Sequence, residues 1–141
     1  MEIPFKELLE NQKYLPYTNG NWNNIMLDHT KGSNVTLERD KINTQLINNM
    51  KGVYIYTNEE TSEVLYVGEG DLKNRLERHY GKTYQKENKE NPRSKFFKSV
   101  EQRVKMLIYY TEIENVYERR AIEAMLTTVL KPKYNRYLRS F

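Results

Sequence analysis

The sequence predicts an α+β fold, a small three-stranded antiparallel sheet flanked by helices and preceded by an N-terminal extension. Three observations carry this expectation. Residues 52–57 and 63–68 are β-branched and aromatic runs separated by the turn-forming stretch 58–62, the pattern of a hairpin. Residues 104–111 repeat that composition as a third strand. Residues 117–130 place Ile122, Met125, Leu126 and Val129 at helical spacing, the strongest amphipathic helix in the chain.

The elements follow in order. Residues 1–48 are polar and rich in asparagine, with turn clusters at 17–21 and 30–34. They hold a short amphipathic helix around Phe5 to Asn11 and room for a second across 37–49. We read 1–48 as an extension packing on the same domain and 49–141 as the core, with no repeat or linker between them. In the hairpin, alternation sends Val53 and Ile55 to one face and Tyr54 and Tyr56 to the other. On the second strand, Leu65 and Val67 share a face, opposite Val64, Tyr66 and Gly68. One face is thus aliphatic core. The other is dominated by tyrosines, whose hydroxyls need solvent, a hydrogen-bond network or a substrate.

Asp71 is a helix N-cap candidate, and Leu72 and Leu76 form the buried stripe of the helix that follows. At about 100° per residue, His79 falls about 20° from Leu72 and Arg75 about 60°. Both lean inward, whereas Lys73, Asn74 and Glu77 face solvent. As i,i+4 neighbours, Arg75 and His79 can address one point in space, and cations at a core edge call for an anion. Residues 81–102 form a charged connection carrying Lys82, Lys86, Lys89, Arg93, Lys95 and Lys98, with Pro92 opening a short helix, and the lysines of 82–98 read as a solvated loop that also attracts phosphate. Glu123 lies about 115° from the middle of its helix's apolar stripe, at the solvent boundary. Lys131 and Pro132 stop that helix, and 133–137 continue as an extended polar-aromatic tail.

Composition removes several function classes. Among 141 residues there is no cysteine, so a disulfide framework, a thiolate nucleophile and a cysteine zinc site are excluded. Only His29 and His79 could supply imidazole, too few for a multi-histidine cage. No apolar run reaches the roughly 20 residues of a membrane span, and the first ten residues carry Glu2, Glu7 and Glu10. A cytoplasmic protein without membrane contact is expected. The formal net charge of +4 fits a polyanionic partner without identifying one. Twelve tyrosines against one tryptophan are the sharper anomaly, suited to packing, base stacking or proton chemistry. His29 and Trp22 read as structural.

Gly52-Val53-Tyr54, eleven intervening residues, then Tyr66-Val67-Gly68 resembles the paired signature of the GIY-YIG nucleases. The stretch from Leu72 to His79 resembles the family's arginine-bearing helix. Ala121 to Leu126, followed by Lys131 to Asn135, resembles its glutamate helix and terminal asparagine. The resemblance covers about residues 49–137.

The resemblance implies a metal-dependent endonuclease acting on DNA and leaving 5′-phosphate and 3′-hydroxyl ends. In that scheme Tyr54 or Tyr66 positions or deprotonates the attacking water, and Arg75 holds the scissile phosphate. His79 relays the proton, Asn135 orients neighbouring groups, and Glu123 is the one protein ligand of a single Mg²⁺ or Mn²⁺. Gly68 leaves room for close approach to the substrate, and Lys82 and Lys133 add phosphate contacts. Many relatives carry lysine, serine or threonine directly after the second tripeptide. Here Glu69 and Gly70 stand there, removing a cation, and Glu69 receives no catalytic role. Glu118, one turn before Glu123, is the decoy carboxylate. One active site cuts one strand, which leaves a homodimer open for double-strand cleavage and points to no obligatory protein partner. The rival readings are a catalytically silent nucleic-acid-binding module on the same fold, and an assembly protein whose tyrosine face is a dimer interface.

Overall fold

The computed structural model describes residues 4–30, 32–83, 92–99 and 104–138. Among these the chain forms α1 (Phe5–Asn11), β1 (Asn23–Asp28), α2 (Val35–Gln45), β2 (Lys51–Asn58), β3 (Val64–Asp71), α3 (Leu72–Thr83), α4 (Pro92–Lys98), β4 (Lys105–Glu112), α5 (Val116–Leu130) and α6 (Lys133–Leu138). Lys86 and Lys89 of the charged connection lie outside the described residues, as does the side chain of Tyr137.

The sheet has four strands in the order β1-β4-β2-β3, all antiparallel, where three were expected. The additional strand is β1, from the N-terminal extension, paired along β4 from Asn23↔Tyr110 to Asp28↔Lys105. Ile25 and Leu27 are buried while Met26 is 42% exposed, the alternation of a half-buried strand. Its brevity and the turn-forming Asn23 and Asn24 hid that alternation.

A second correction concerns the hairpin. Tyr54 pairs with Gly68 and Tyr56 with Tyr66, as a simple register requires, but the ladder shifts between Tyr56 and Thr57, which pairs with Val64. A bulge inserts one residue, and every side chain beyond it changes face. Leu65 therefore joins the tyrosine side of the core, while Val64 packs with Val53, Ile55 and Val67.

Both sheet faces are covered. Val53, Ile55 and Val67 pack with Ile122 and Leu126 of α5, Leu9 of α1 and Trp22. On the other face Tyr54, Tyr56, Tyr66 and Tyr110 lie with Ile42 and Leu46 near α2, Leu72, Leu76 and Tyr80 of α3, and Phe96 and Phe97 of α4. The tyrosine face is core as well, not a solvated surface.

Local chemistry sets the helix limits. Asp71 Oδ1 accepts from the Asn74 amide at 3.1 Å, the cap expected for α3. Asn115 Oδ1 accepts from the amides of Tyr117 and Glu118 at 3.0 and 2.9 Å, opening α5, which ends on Lys131 in the left-handed region. Pro132 does more than stop α5. Its carbonyl accepts from the Asn135 amide at 3.1 Å, and residues 133–138 turn into α6 instead of the extended tail expected. Proline's fixed φ suits the first turn of a helix, which the reading as a pure helix breaker overlooked.

Candidate active site

The site forms along β3, the edge strand against which both α5 and α6 pack. Here residues from the two helical layers meet.

Its centre is the Tyr54–His79 pair, with Tyr54 Oη 2.8 Å from His79 Nε2. Each is only 1% exposed. The opposing glycine makes this possible. A Cβ on Gly68 would lie 2.4 Å from the Tyr54 hydroxyl oxygen and 2.5 Å from its Cζ, so the phenol fills the space a side chain would take. The room expected for substrate at Gly68 is room for Tyr54. Tyr66 stacks beside Tyr54 at 6.1 Å between centroids and 25° between planes, and at 6% exposure it is nearer solvent. Phe97 stacks on His79 at 4.5 Å and 17°, fixing the imidazole plane.

Burial governs the protonation of these groups. It pushes the Tyr54 phenol well above 10.0, with Tyr66 adding to the rise and Arg75 and Arg93 opposing it. Tyr66 is raised by burial too, against the pull of Arg93 and Arg75. Arg75 and Arg93 pull both phenols down, but desolvation outweighs them. Burial also holds His79 well below 6.5, and Lys82, Arg93, His29 and Arg75 reinforce the effect. At neutral pH the centre is therefore two neutral phenols and a neutral imidazole. Among the described residues, His79 Nδ1 and the Tyr56 hydroxyl have no hydrogen-bond partner.

Cations border this centre. Arg75 runs beside Gly70, whose φ of +137° belongs to glycine and where a Cβ would lie 2.8 Å from Arg75 Nε. Arg93, on α4, places its guanidinium carbon 5.9 Å from the Tyr66 ring centroid. Tyr134 of α6 meets the same ring edge-on at 4.9 Å. Asn135 follows it, half-buried at the start of α6. The sequence reading assigns Arg93 only to the charged connection after Pro92, with no role at the site. The signal that it turns inward is the Phe96–Phe97 pair close behind it, which must be buried and carries α4 inward.

The carboxylates divide clearly. Glu69 Oε2 accepts from Arg119 Nε at 2.7 Å, and Arg119 also donates to the carbonyls of Ile113 and Glu114 at 3.2 and 3.0 Å. Glu118 accepts from the Tyr14 hydroxyl at 3.1 Å, an assignment that removes the decoy. The half-buried Glu123 carboxylate makes no hydrogen bond or ion pair with the described residues. Burial raises its pKa above 4.5, the neighbouring Glu69 adds to the rise, and Arg93 opposes it. The described residues contain no group of three His, Cys, Asp or Glu able to hold a metal ion. A cation at Glu123 would have one protein carboxylate, and it would relieve both the burial and the repulsion from Glu69. The residues fit it on that basis. Lys82 is half-buried near His79, whereas Lys133 sits 3.9 Å from Glu63, just before β3 begins.

Paired tyrosines on a hairpin, an arginine and a histidine on the helix after it, and Glu123 close enough to act electrostatically on both tyrosines form the candidate site of a small α+β domain. Residues 50–135 match the family model described as the GIY-YIG catalytic domain, more than half of the chain, and the chain belongs to that nuclease family. No curated protein matches it. Among the described residues no helix is long and apolar enough to cross a membrane.

Proposed function

We propose that this chain is a divalent-cation-dependent DNA endonuclease that hydrolyses phosphodiester bonds to 5′-phosphate and 3′-hydroxyl ends. The observation that carries the reading is the buried Tyr54–His79 hydrogen bond with Tyr66 stacked alongside and, acting on both phenols, a Glu123 carboxylate without a partner among the described residues.

Arg75 holds the scissile phosphate and stabilises the charge that grows on it. A phenol held neutral is a poor base alone. Coupled to a neutral imidazole, Tyr54 accepts the proton of the attacking water as its own passes to His79 Nε2. The tautomer that permits this carries its proton on Nδ1. Tyr66, closer to solvent, orients the water and the phosphate by hydrogen bonding. Asn135 orients groups nearby, and Lys82 and Lys133 add sequence-independent phosphate attraction. Glu123 would hold Mg²⁺ or Mn²⁺, and that cation, when bound, neutralises phosphate charge and eases departure of the 3′ oxygen.

Supercoiled plasmid incubated with Mg²⁺, Mn²⁺ or EDTA tests the reading. Metal-dependent nicks that ligase reseals without added kinase are expected. Nicking undiminished in EDTA, or nicks that ligase cannot reseal, would contradict it.

A further inference from the structure

We propose that Arg93 is a second phosphate-binding residue of this site, reaching the same substrate group as Arg75 from α4. The inference rests on the nuclease reading and deepens it.

β3 alone cannot supply this charge. Directly after Tyr66, Val67 and Gly68 the strand offers Glu69, and that carboxylate is turned to Arg119 at 2.7 Å. Positive charge arrives instead from α4, where Arg93 lies over the face of Tyr66, the more exposed of the stacked tyrosines. Aromatic packing fixes its location. Phe97 stacks on His79, Phe96 meets Tyr134 at 5.1 Å, and Tyr134 meets Tyr66. His79, Tyr66 and Tyr134 thus anchor the helix bearing Arg93 through Phe96 and Phe97.

The electrostatics agree with that placement. Arg93 is coupled to Tyr54, Tyr66 and Tyr134, bonds to Tyr134, and pulls on the Glu123 carboxyl as well. A guanidinium half-buried against neutral phenols is stabilised by an anion brought close to it. Its planar fork of five donors can hold Tyr134 and phosphate oxygens together. Arg75 and Arg93 act on both Tyr54 and Tyr66, so a phosphate at the tyrosine pair feels both guanidinium groups.

The test separates binding from cutting. Affinity for a short DNA duplex is measured in EDTA over a range of salt for wild type, Arg93→Met and Arg93→Lys, with thermal melting of each. Loss of one phosphate contact lowers the slope of log affinity against log salt by about 0.9 in Arg93→Met, and Arg93→Lys retains it. With Mg²⁺, Arg93→Met nicks with kcat/KM down about 10²-fold, and lysine restores part of the loss. An unchanged salt slope in Arg93→Met overturns the proposal. So does equal loss of nicking in both variants with a matching fall in melting temperature, the signature of a packing role. If the wild type binds DNA but never nicks it, the nuclease reading falls, and the slope still decides whether Arg93 contacts phosphate.

Discussion

A single hydroxyl links most of the candidate chemistry. Tyr54→Phe keeps the ring against Gly68 and deletes only the bond to His79. Nicking should fall about 10²–10⁴-fold, while stability measured in urea drops by about 1–3 kcal/mol because His79 Nε2 is left unsatisfied. A fall in stability with full activity would exclude Tyr54 from the proton path. Gly68→Ala acts on the same phenol through sterics, since its methyl would sit 2.4 Å from the Tyr54 oxygen. Both stability, by about 1–3 kcal/mol, and nicking should suffer. The faces that Tyr54, Tyr66, Arg75, His79 and Glu123 occupy were legible because a strand period of two and a helix step of about 100° fix them, whereas their roles belong to the proposal. The place of Arg93 was not legible. The Phe96–Phe97 pair signals that α4 turns inward, but its long-range contacts with His79, Tyr66 and Tyr134, which set where Arg93 lies, are not encoded locally. Nor did sequence show that burial outweighs the cations around the two phenols, because desolvation is a property of the assembled core.

Among the elements, those with strong periodicity and their own caps were readable in advance. α3 has Asp71 at its start and α5 has Asn115; α3 buries Leu72 and Leu76, and α5 buries Ile122 and Leu126 with Met125 and Val129 partly covered. Asn115→Ala removes the acceptor for two amides and should cost about 0.5–2 kcal/mol in urea denaturation, without moving Glu123 across the helix. An unchanged midpoint would show that water replaces the cap. Elements set by pairing instead of propensity were harder to see. β1 exists because β4 offers it an edge, and the bulge that swaps Val64 and Leu65 arises from register, not composition. α6 is held by the packing of Tyr134 on Tyr66 and Phe96, although Pro132 was a usable signal for its first turn.

Across the whole molecule, the site exists because two helical layers overlap at the β3 edge, one bringing Glu123 and the other Arg75, His79 and Arg93. The core on the tyrosine face buries two histidines. His29 bonds to Thr83 at 2.8 Å and its pKa is lowered to about 3 by burial, and His79 is lowered as well. Their folded values lie below the unfolded one, so the unfolded chain binds more protons as pH falls. Stability is full above about pH 6.5 and should decline toward acid by about 1.4 kcal/mol per pH unit for each histidine. Urea unfolding between about pH 7 and pH 5 reads this slope, and a flat profile would mean that neither histidine stays neutral in the folded state. The central claim is that Glu123, alone among the nearby carboxylates, serves a divalent cation in DNA cleavage. It is tested most directly by Mg²⁺-dependent plasmid nicking with wild type and Glu123→Ala, each checked for melting temperature and DNA affinity. The account predicts that Glu123→Ala folds and binds DNA but nicks at least about 10²-fold more slowly. Equal nicking by both proteins would contradict it.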